Sequence, residues 1–165
     1  MHRCDECGFT YDLATAPDAA QAIVTGADET AEVLARGTAQ DVASRRRPDL
    51  WSPLEYGCHV RDVLLVQRER VLLVRREERP SFAPMGRDER VDHDGYADQD
   101  PSAVARQVRV AAGLLAHVLD RLGPDWDRTA IYNYPEPTER SLRWIAVHTV
   151  HEVCHHLLDM RQQLA

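Results

Sequence analysis

The sequence predicts an all-α domain, a four-helix bundle, on three observations. Four segments carry both start and stop signals for a helix. No strand pattern of comparable length competes with them. At 165 residues the chain fits a single domain built from four helices of about 20 to 27 residues.

The first helix is expected over residues 17–36. Thr15 and Asp18 have capping-box spacing, Ile23, Val33 and Leu34 supply apolar positions, and Gly37 follows as a stop. Gly26 and Gly37 make it the least helix-favouring of the four. The second helix opens at Ser52-Pro53-Leu54-Glu55, where serine caps, proline suits the first helical position and Glu55 completes the box; it should persist to about Arg76. The third starts at Asp100-Pro101, carries Val104, Val108, Leu115, Leu119 and Leu122, and stops at Gly123-Pro124. The fourth follows Pro135-Glu136-Pro137, with Thr138 as cap, and runs through Leu142, Ile145, Val153 and Leu157 to the C-terminus.

Residues 77–99 form a long charged connection between the second and third helices, with Pro80, Pro84, Gly86 and Gly95. It is longer than a tight antiparallel turn needs and suits a crossover or a lid over a site. The organisation read from these signals is a short N-terminal CxxC segment, residues 1–16, followed by the bundle, residues 17–165.

Composition narrows the function classes. Hydrophobic residues make up 44% and charged residues 28%, which suits a globular domain rather than a disordered chain. A net charge of −7 disfavours nucleic acid and anionic lipid as partners. The apolar run at 63–74 is broken by Gln67, Arg68, Glu69 and Arg70, too short for a membrane span. With no leader-like segment before Cys4, a cytoplasmic location is expected. All 20 basic residues are arginine, so a lysine Schiff base is excluded.

The chemistry-bearing stretch lies in the fourth helix: His148, His151, Glu152, His155 and His156, followed by Asp159. Residues three or four apart share a helix face, so His151/His155 and Glu152/His156 are two ligand pairs. Buried imidazoles each need a partner, and five potential ligands within nine residues point to a divalent metal, zinc above all. His151-Glu152-Val153-Cys154-His155 also reads as the HExxH of zinc proteases, but the short stretch after His155 offers little beyond Asp159 as a further ligand, so that reading is set aside. The third ligand is then sought upstream, and His59 is best placed, early in the second helix. His93, in the charged connection, and His117, with no neighbouring ligand, read as solvated or packed.

These residues resemble the DinB-like superfamily, which includes the YfiT-like metal hydrolases and the mycothiol-dependent maleylpyruvate isomerase and thiol-transferase branch. The resemblance covers residues 17–165. One motif is a tryptophan followed eight residues later by a histidine, here Trp51 and His59; the other is Glu152-Val-Cys-His-His156-Leu-Leu-Asp159, similar to the E-x-x-x-H-x-x-D of the isomerase branch. The resemblance implies His59, Glu152 and His156 as metal ligands. A shift of one residue gives the alternative set His59, His151 and His155. Three protein ligands leave an open position at which a thiol or water is activated as a nucleophile. The implied function is a metal-dependent enzyme of the thiol S-transferase or isomerase type, or a hydrolase, acting on a small electrophile with a low-molecular-weight thiol such as mycothiol as cosubstrate. The competing reading is a non-catalytic binding or regulatory module with a structural metal.

Further candidates are weighed around this triad. Asp62, at i+3 from His59, and Asp159 are placed to orient ligand imidazoles, and Arg61 to act beside them. Arg87, Asp88, Arg90 and Tyr96 in the long connection are candidates to contact a carboxylated substrate. Cys4-Asp-Glu-Cys7-Gly8 is half of a zinc knuckle. The other two ligands of a second zinc are left to His2, another cysteine, a distant histidine, or a second subunit of a homodimer; a redox pair and a remnant are the alternatives. Cys58 and Cys154 read as thiols packed beside the site rather than ligands.

Overall fold

A computed structural model of the chain describes residues 2–133 and 135–165. In chain order the elements are β1 (His2–Arg3), β2 (Thr10–Tyr11), α1 (Ala19–Arg36), α2 (Ala39–Ala43), α3 (Pro53–Arg76), α4 (Arg87–His93), α5 (Pro101–Leu119), β3 (Thr129–Asn133), β4 (Pro137–Ser141) and α6 (Leu142–Leu164). The four long helices α1, α3, α5 and α6 form the bundle. Ile23, Leu34, Leu64, Val71, Leu115 and Ile145 are among the residues buried at its centre.

Around the bundle, α1 and α3 each pack against both α5 and α6, while α1 lies diagonal to α3 and α5 diagonal to α6. The long connection therefore joins adjacent helices, and the diagonal steps are made by residues 37–52 and 120–141. Placing α3 beside α6 is what makes a shared metal site feasible, because their facing side chains meet.

Local signals explain most boundaries. At the start of α3 the capping box is complete: Glu55 N–H donates to Ser52 Oγ at 3.2 Å and Ser52 N–H to Glu55 Oε2 at 2.8 Å. Asp100 caps α5 through the Ala103 amide at 2.7 Å, and Pro101 occupies the first turn. This helix ends at Leu119, four residues before the Gly123 stop; Leu122 stays buried in the turn, and Gly123 follows with φ of +53°.

Two expected caps are corrected. Thr15 and Asp18 form no capping box: the Thr15 hydroxyl donates to Asp12 O, Asp18 makes no side-chain capping bond, and Asp12 accepts from the Ala14 amide at 2.9 Å to start a tight helical turn over Leu13–Asp18 that leads into α1. Thr138 lies in β4, and Ser141 caps α6 through the Trp144 amide. Gly26, a weak point for α1 by propensity, is a close approach: a Cβ there would meet Val153 of α6 at 2.6 Å.

The strands are the main departure from the all-helical expectation. β3 and β4 pair antiparallel, with Ile131 opposite Glu139. Residues 80–82 run along the other edge of β3, where Ile131 N–H donates to Pro80 O and Phe82 N–H to Ile131 O. Ala130 and Tyr132 point inward on the period of two, a signal only five residues long. A second antiparallel pair, β1 with β2, carries the Cys4–Cys7 turn and lays Phe9 and Tyr11 against His151 of α6, at 5.3 Å each. No helix among the described residues is long and apolar enough to cross a membrane.

Candidate metal centre

The capping box that starts α3 sets the rotation of the helix, and two turns later His59 faces α6. It is 2% exposed. Its ring meets the edge of Trp51 at 5.2 Å and that of His156 at 4.8 Å, and its Nδ1 has no hydrogen-bond partner among the described residues. Burial, reinforced by His156, pushes its pKa down to about 3, so the imidazole is neutral and keeps a lone pair to donate. A histidine with only a packing role would normally have its buried nitrogens hydrogen-bonded.

On α6 the two i, i+4 pairs interleave with an offset of one residue. Adjacent residues point about 100° apart on a helix, so the pairs diverge. Glu152 and His156 turn towards His59, and the three offer one ligand atom each within 4.8 Å of one another. His156 Nδ1 lies 3.0 Å from Asp159 Oδ2, which directs Nε2 towards Glu152 at 3.7 Å. Burial works against a charge on His156, but the carboxylates of Asp159 and Glu152 overcome it and raise its pKa to about 9. Glu152 is likewise opposed by burial and is held well below the usual carboxylate range by His151 and His156. The two carboxylates that favour a proton on His156 also favour a dication. Unpartnered His59, anionic Glu152 and the oriented His156 together fit a divalent ion such as zinc.

His151 and His155 turn the other way and meet the N-terminal hairpin. One atom from each of Cys4, Cys7, His151 and His155 falls within a second 4.8 Å group. No such group joins His59 to His151 and His155 among the described residues. The two ligand registers of the sequence are thus both used in space, by different neighbours. The N–H of Cys7, despite the opposing effect of burial, holds the Cys4 thiol down at about 6, where it is ionised at neutral pH.

Asp159 lies within hydrogen-bond distance of His156. Asp62 and Arg61 do not reach the triad. Asp62, 4% exposed, accepts from Arg61, from Arg90 at 3.1 Å and from the Tyr96 hydroxyl at 2.7 Å; Arg61 goes on to Gln99, Gln107 and Asp94. This network fastens the connection between α3 and α5, and it removes Arg90 and Tyr96 from substrate contact. Residues at i+3 lie about 60° round the helix from His59, enough to put Asp62 against α4 instead of α6. His93 and His117 are exposed; Cys58 is packed, but against Tyr96 and Gln99 instead of the triad, and Cys154 is exposed where a packed thiol was expected.

A cavity of about 630 Å³ opens onto the triad. Its walls are the β1–β2 hairpin, residues 83–89 with Arg87 and Asp88, and the end of β3. The long connection is therefore a wall of the site; of the two roles read from its length, a crossover is not what it makes, since α3 and α5 are adjacent. Sequence reading missed Arg70 and Tyr132, and placed His148 in the ligand cluster without foreseeing its partner. Arg70 lies eleven residues after His59, three turns along nearly the same face, which was a legible signal. Its guanidinium donates to the Tyr132 hydroxyl at 3.0 Å and to Ala83 O at 2.8 Å, and stacks over Tyr132 and Phe82. Its hydrogen-bond partners among the described residues are all neutral. His148 Nδ1 meets the Tyr11 hydroxyl at 2.9 Å, and burial lowers its pKa to about 4.

Comparison with known proteins agrees with this architecture. The DinB superfamily model matches residues 22–160. The chain belongs to the DinB superfamily. Among solved structures, this DinB protein is similar to YfiT from Bacillus subtilis, described as a probable metal-dependent hydrolase with an unusual four-helix bundle topology. The two share 15% identity with a TM-score of 0.81 over 93% of this chain and 88% of the other, a likeness of fold. No curated protein matches the sequence.

Proposed function

We propose that this DinB protein is a metal-dependent enzyme that activates a thiol or water for attack on a small, anionic electrophile. The observation that carries the reading is the convergence of His59, Glu152 and His156 at the cavity: three ligands and access from outside, the pattern of a catalytic rather than a structural site. A divalent ion held there supplies an open position at which a thiol or water gives up its proton near neutral pH.

The chain's own groups account for the rest. Asp159 fixes the tautomer and orientation of His156. Arg70, locked by neutral partners, presents a positive charge on the cavity wall and suits a carboxylate or phosphate on the substrate. Arg87, also in the cavity lining, lies over Trp51 at 5.5 Å. A cavity of about 630 Å³ suits a small organic molecule rather than a polymer. Glu152, His156 and Asp159 match the isomerase-branch pattern, which favours a low-molecular-weight thiol as cosubstrate. The likeness of fold to YfiT favours water as the nucleophile and is the second reading.

Metal quantification combined with turnover of small anionic electrophiles, with and without a low-molecular-weight thiol, tests this. Thiol-dependent turnover lost in His59→Ala supports transfer or isomerisation; thiol-independent turnover lost in the same variant supports hydrolysis. Stoichiometric metal with no turnover under either condition would leave the non-catalytic module as the answer.

A further inference from the structure

We propose that Cys4, Cys7, His151 and His155 form a second, closed metal site, a Cys2His2 zinc clasp that fastens the β1–β2 hairpin to α6 and holds residues 2–6 as a wall of the cavity. The clasp stands independently of the catalytic reading, since it shares no ligand with the triad.

Four observations carry it. The four ligand atoms lie within 4.8 Å of one another, compact enough for a single ion. The Cys4–Cys7 turn is built like a knuckle: Cys4 N–H donates to Phe9 O at 2.8 Å, Gly8 N–H to Cys4 O at 2.9 Å, and Gly8 has a φ of +75°, which a side chain would strain. His151 is 9% exposed, and neither of its ring nitrogens has a hydrogen-bond partner among the described residues; its Nδ1 lies 3.4 Å from Glu152 Oε1. An imidazole buried in this way and turned towards two thiols is costly unless a cation takes its lone pair. Finally, Cys4 Sγ lies 3.9 Å from His155 Nδ1, so the hairpin and the helix already meet at the ligands. Glu6, at 3.3 Å from His155 Nε2, and Asp159, at 3.7 Å, add negative charge at the rim.

The donor set selects the ion and the role. Two thiolates with two imidazoles suit tetrahedral zinc, and four protein ligands leave no position for substrate. A two-residue strand pair has too few hydrogen bonds and too little apolar area to stay in place alone. Yet it supplies His2, Arg3, Cys4, Asp5 and Glu6 to the cavity wall. The clasp thus gives the hairpin its rigidity and the cavity one of its sides.

Cobalt substitution of the whole chain tests the clasp without any variant. Tetrahedral cobalt with two thiolates produces intense near-ultraviolet charge-transfer absorption, whereas a His/Glu/His site produces none. The expected result is two equivalents of metal per chain and a charge-transfer band. Cys4→Ser and Cys7→Ser should each lose that band and one equivalent, and speed hydrogen exchange over residues 2–11. His156→Ala should lose the other equivalent and keep the band. In the zinc form, native thiol titration should detect Cys154 alone, with Cys4 and Cys7 added after chelation. A cobalt-loaded protein lacking the charge-transfer band, or Cys4 and Cys7 reacting at once in the zinc form, would overturn the proposal. So would a Cys4–Cys7 disulfide in freshly prepared protein. Each of these outcomes leaves the His59 site standing on its own metal equivalent and turnover.

Discussion

Two of the candidate ligand groups on α6 are one residue out of step along the same helix, yet they differ in design. Glu152 and His156 meet a single residue of α3, His59, while His151 and His155 meet two thiols on a hairpin; the same cavity reaches members of both groups. Three ligands leave a coordination position open for chemistry, whereas two thiolates and two imidazoles fill a tetrahedral ion and suit fastening. The difference teaches that the ligand pair does not decide the role of a metal group. The element it faces does: a rigid bundle helix contributes one nitrogen, while a short hairpin with little core of its own contributes two sulfurs.

The largest expected effect separates the groups outright. His59→Ala should weaken metal binding at the open group on the order of 1,000-fold, a step beyond the roughly 10–100-fold carried by outer partners. It should leave one equivalent bound at the hairpin. Calorimetric titration of the metal-free protein measures this, and loss of both equivalents together would erase the distinction between the groups.

Asp62 tests whether nearness to His59 on α3 means participation in the site. Asp62→Asn should destabilise the fold by about 3 kcal/mol, as expected for breaking a buried, hydrogen-bonded charge network, with metal affinity unchanged. Arg61, Tyr96 and Arg90 hold its folded-state pKa below the ordinary value, against the opposing effect of burial. Its contribution is therefore complete above about pH 4, near the unfolded value, and disappears as pH falls through the folded one. The wild type should lose stability more steeply than Asp62→Asn over that acid window in urea titrations.

Asp159→Ala should reduce metal affinity roughly 10–100-fold by freeing the His156 ring. Asp159→Asn, which can still accept a hydrogen bond through its amide oxygen, should recover part of this in the same titration. A smaller effect is expected behind the ligands. Gly26→Ala places a methyl against Val153, next to Glu152, and should cost about 1–2 kcal/mol in thermal or chemical unfolding. Metal stoichiometry should be unaffected.

Much of this was legible in one dimension. Ser52-Pro53-Leu54-Glu55 and Asp100-Pro101 state where α3 and α5 begin, because capping is satisfied by residues within one turn. His151-Glu152-Val-Cys-His155-His156 states that two faces of one turn carry ligands, because helix geometry fixes those angles. The strands were not legible: β3 has only five residues, and its pairing is completed by residues 80–82 and 137–141, distant in sequence. Asp62 was placed beside the ligand by spacing alone, whereas α4 and the 94–99 turn had the partners that captured its carboxylate.

The sequence by itself determined the bundle, the candidate ligand side chains and their two registers, since propensity, capping and side-chain periodicity are local properties of the chain. Only the tertiary structure decided which register faces His59 and which faces Cys4 and Cys7. That assignment depends on the diagonal packing that sets α3 beside α6 and on the hairpin folding back onto α6. Those are contacts across most of the length of the chain, which no local pattern encodes.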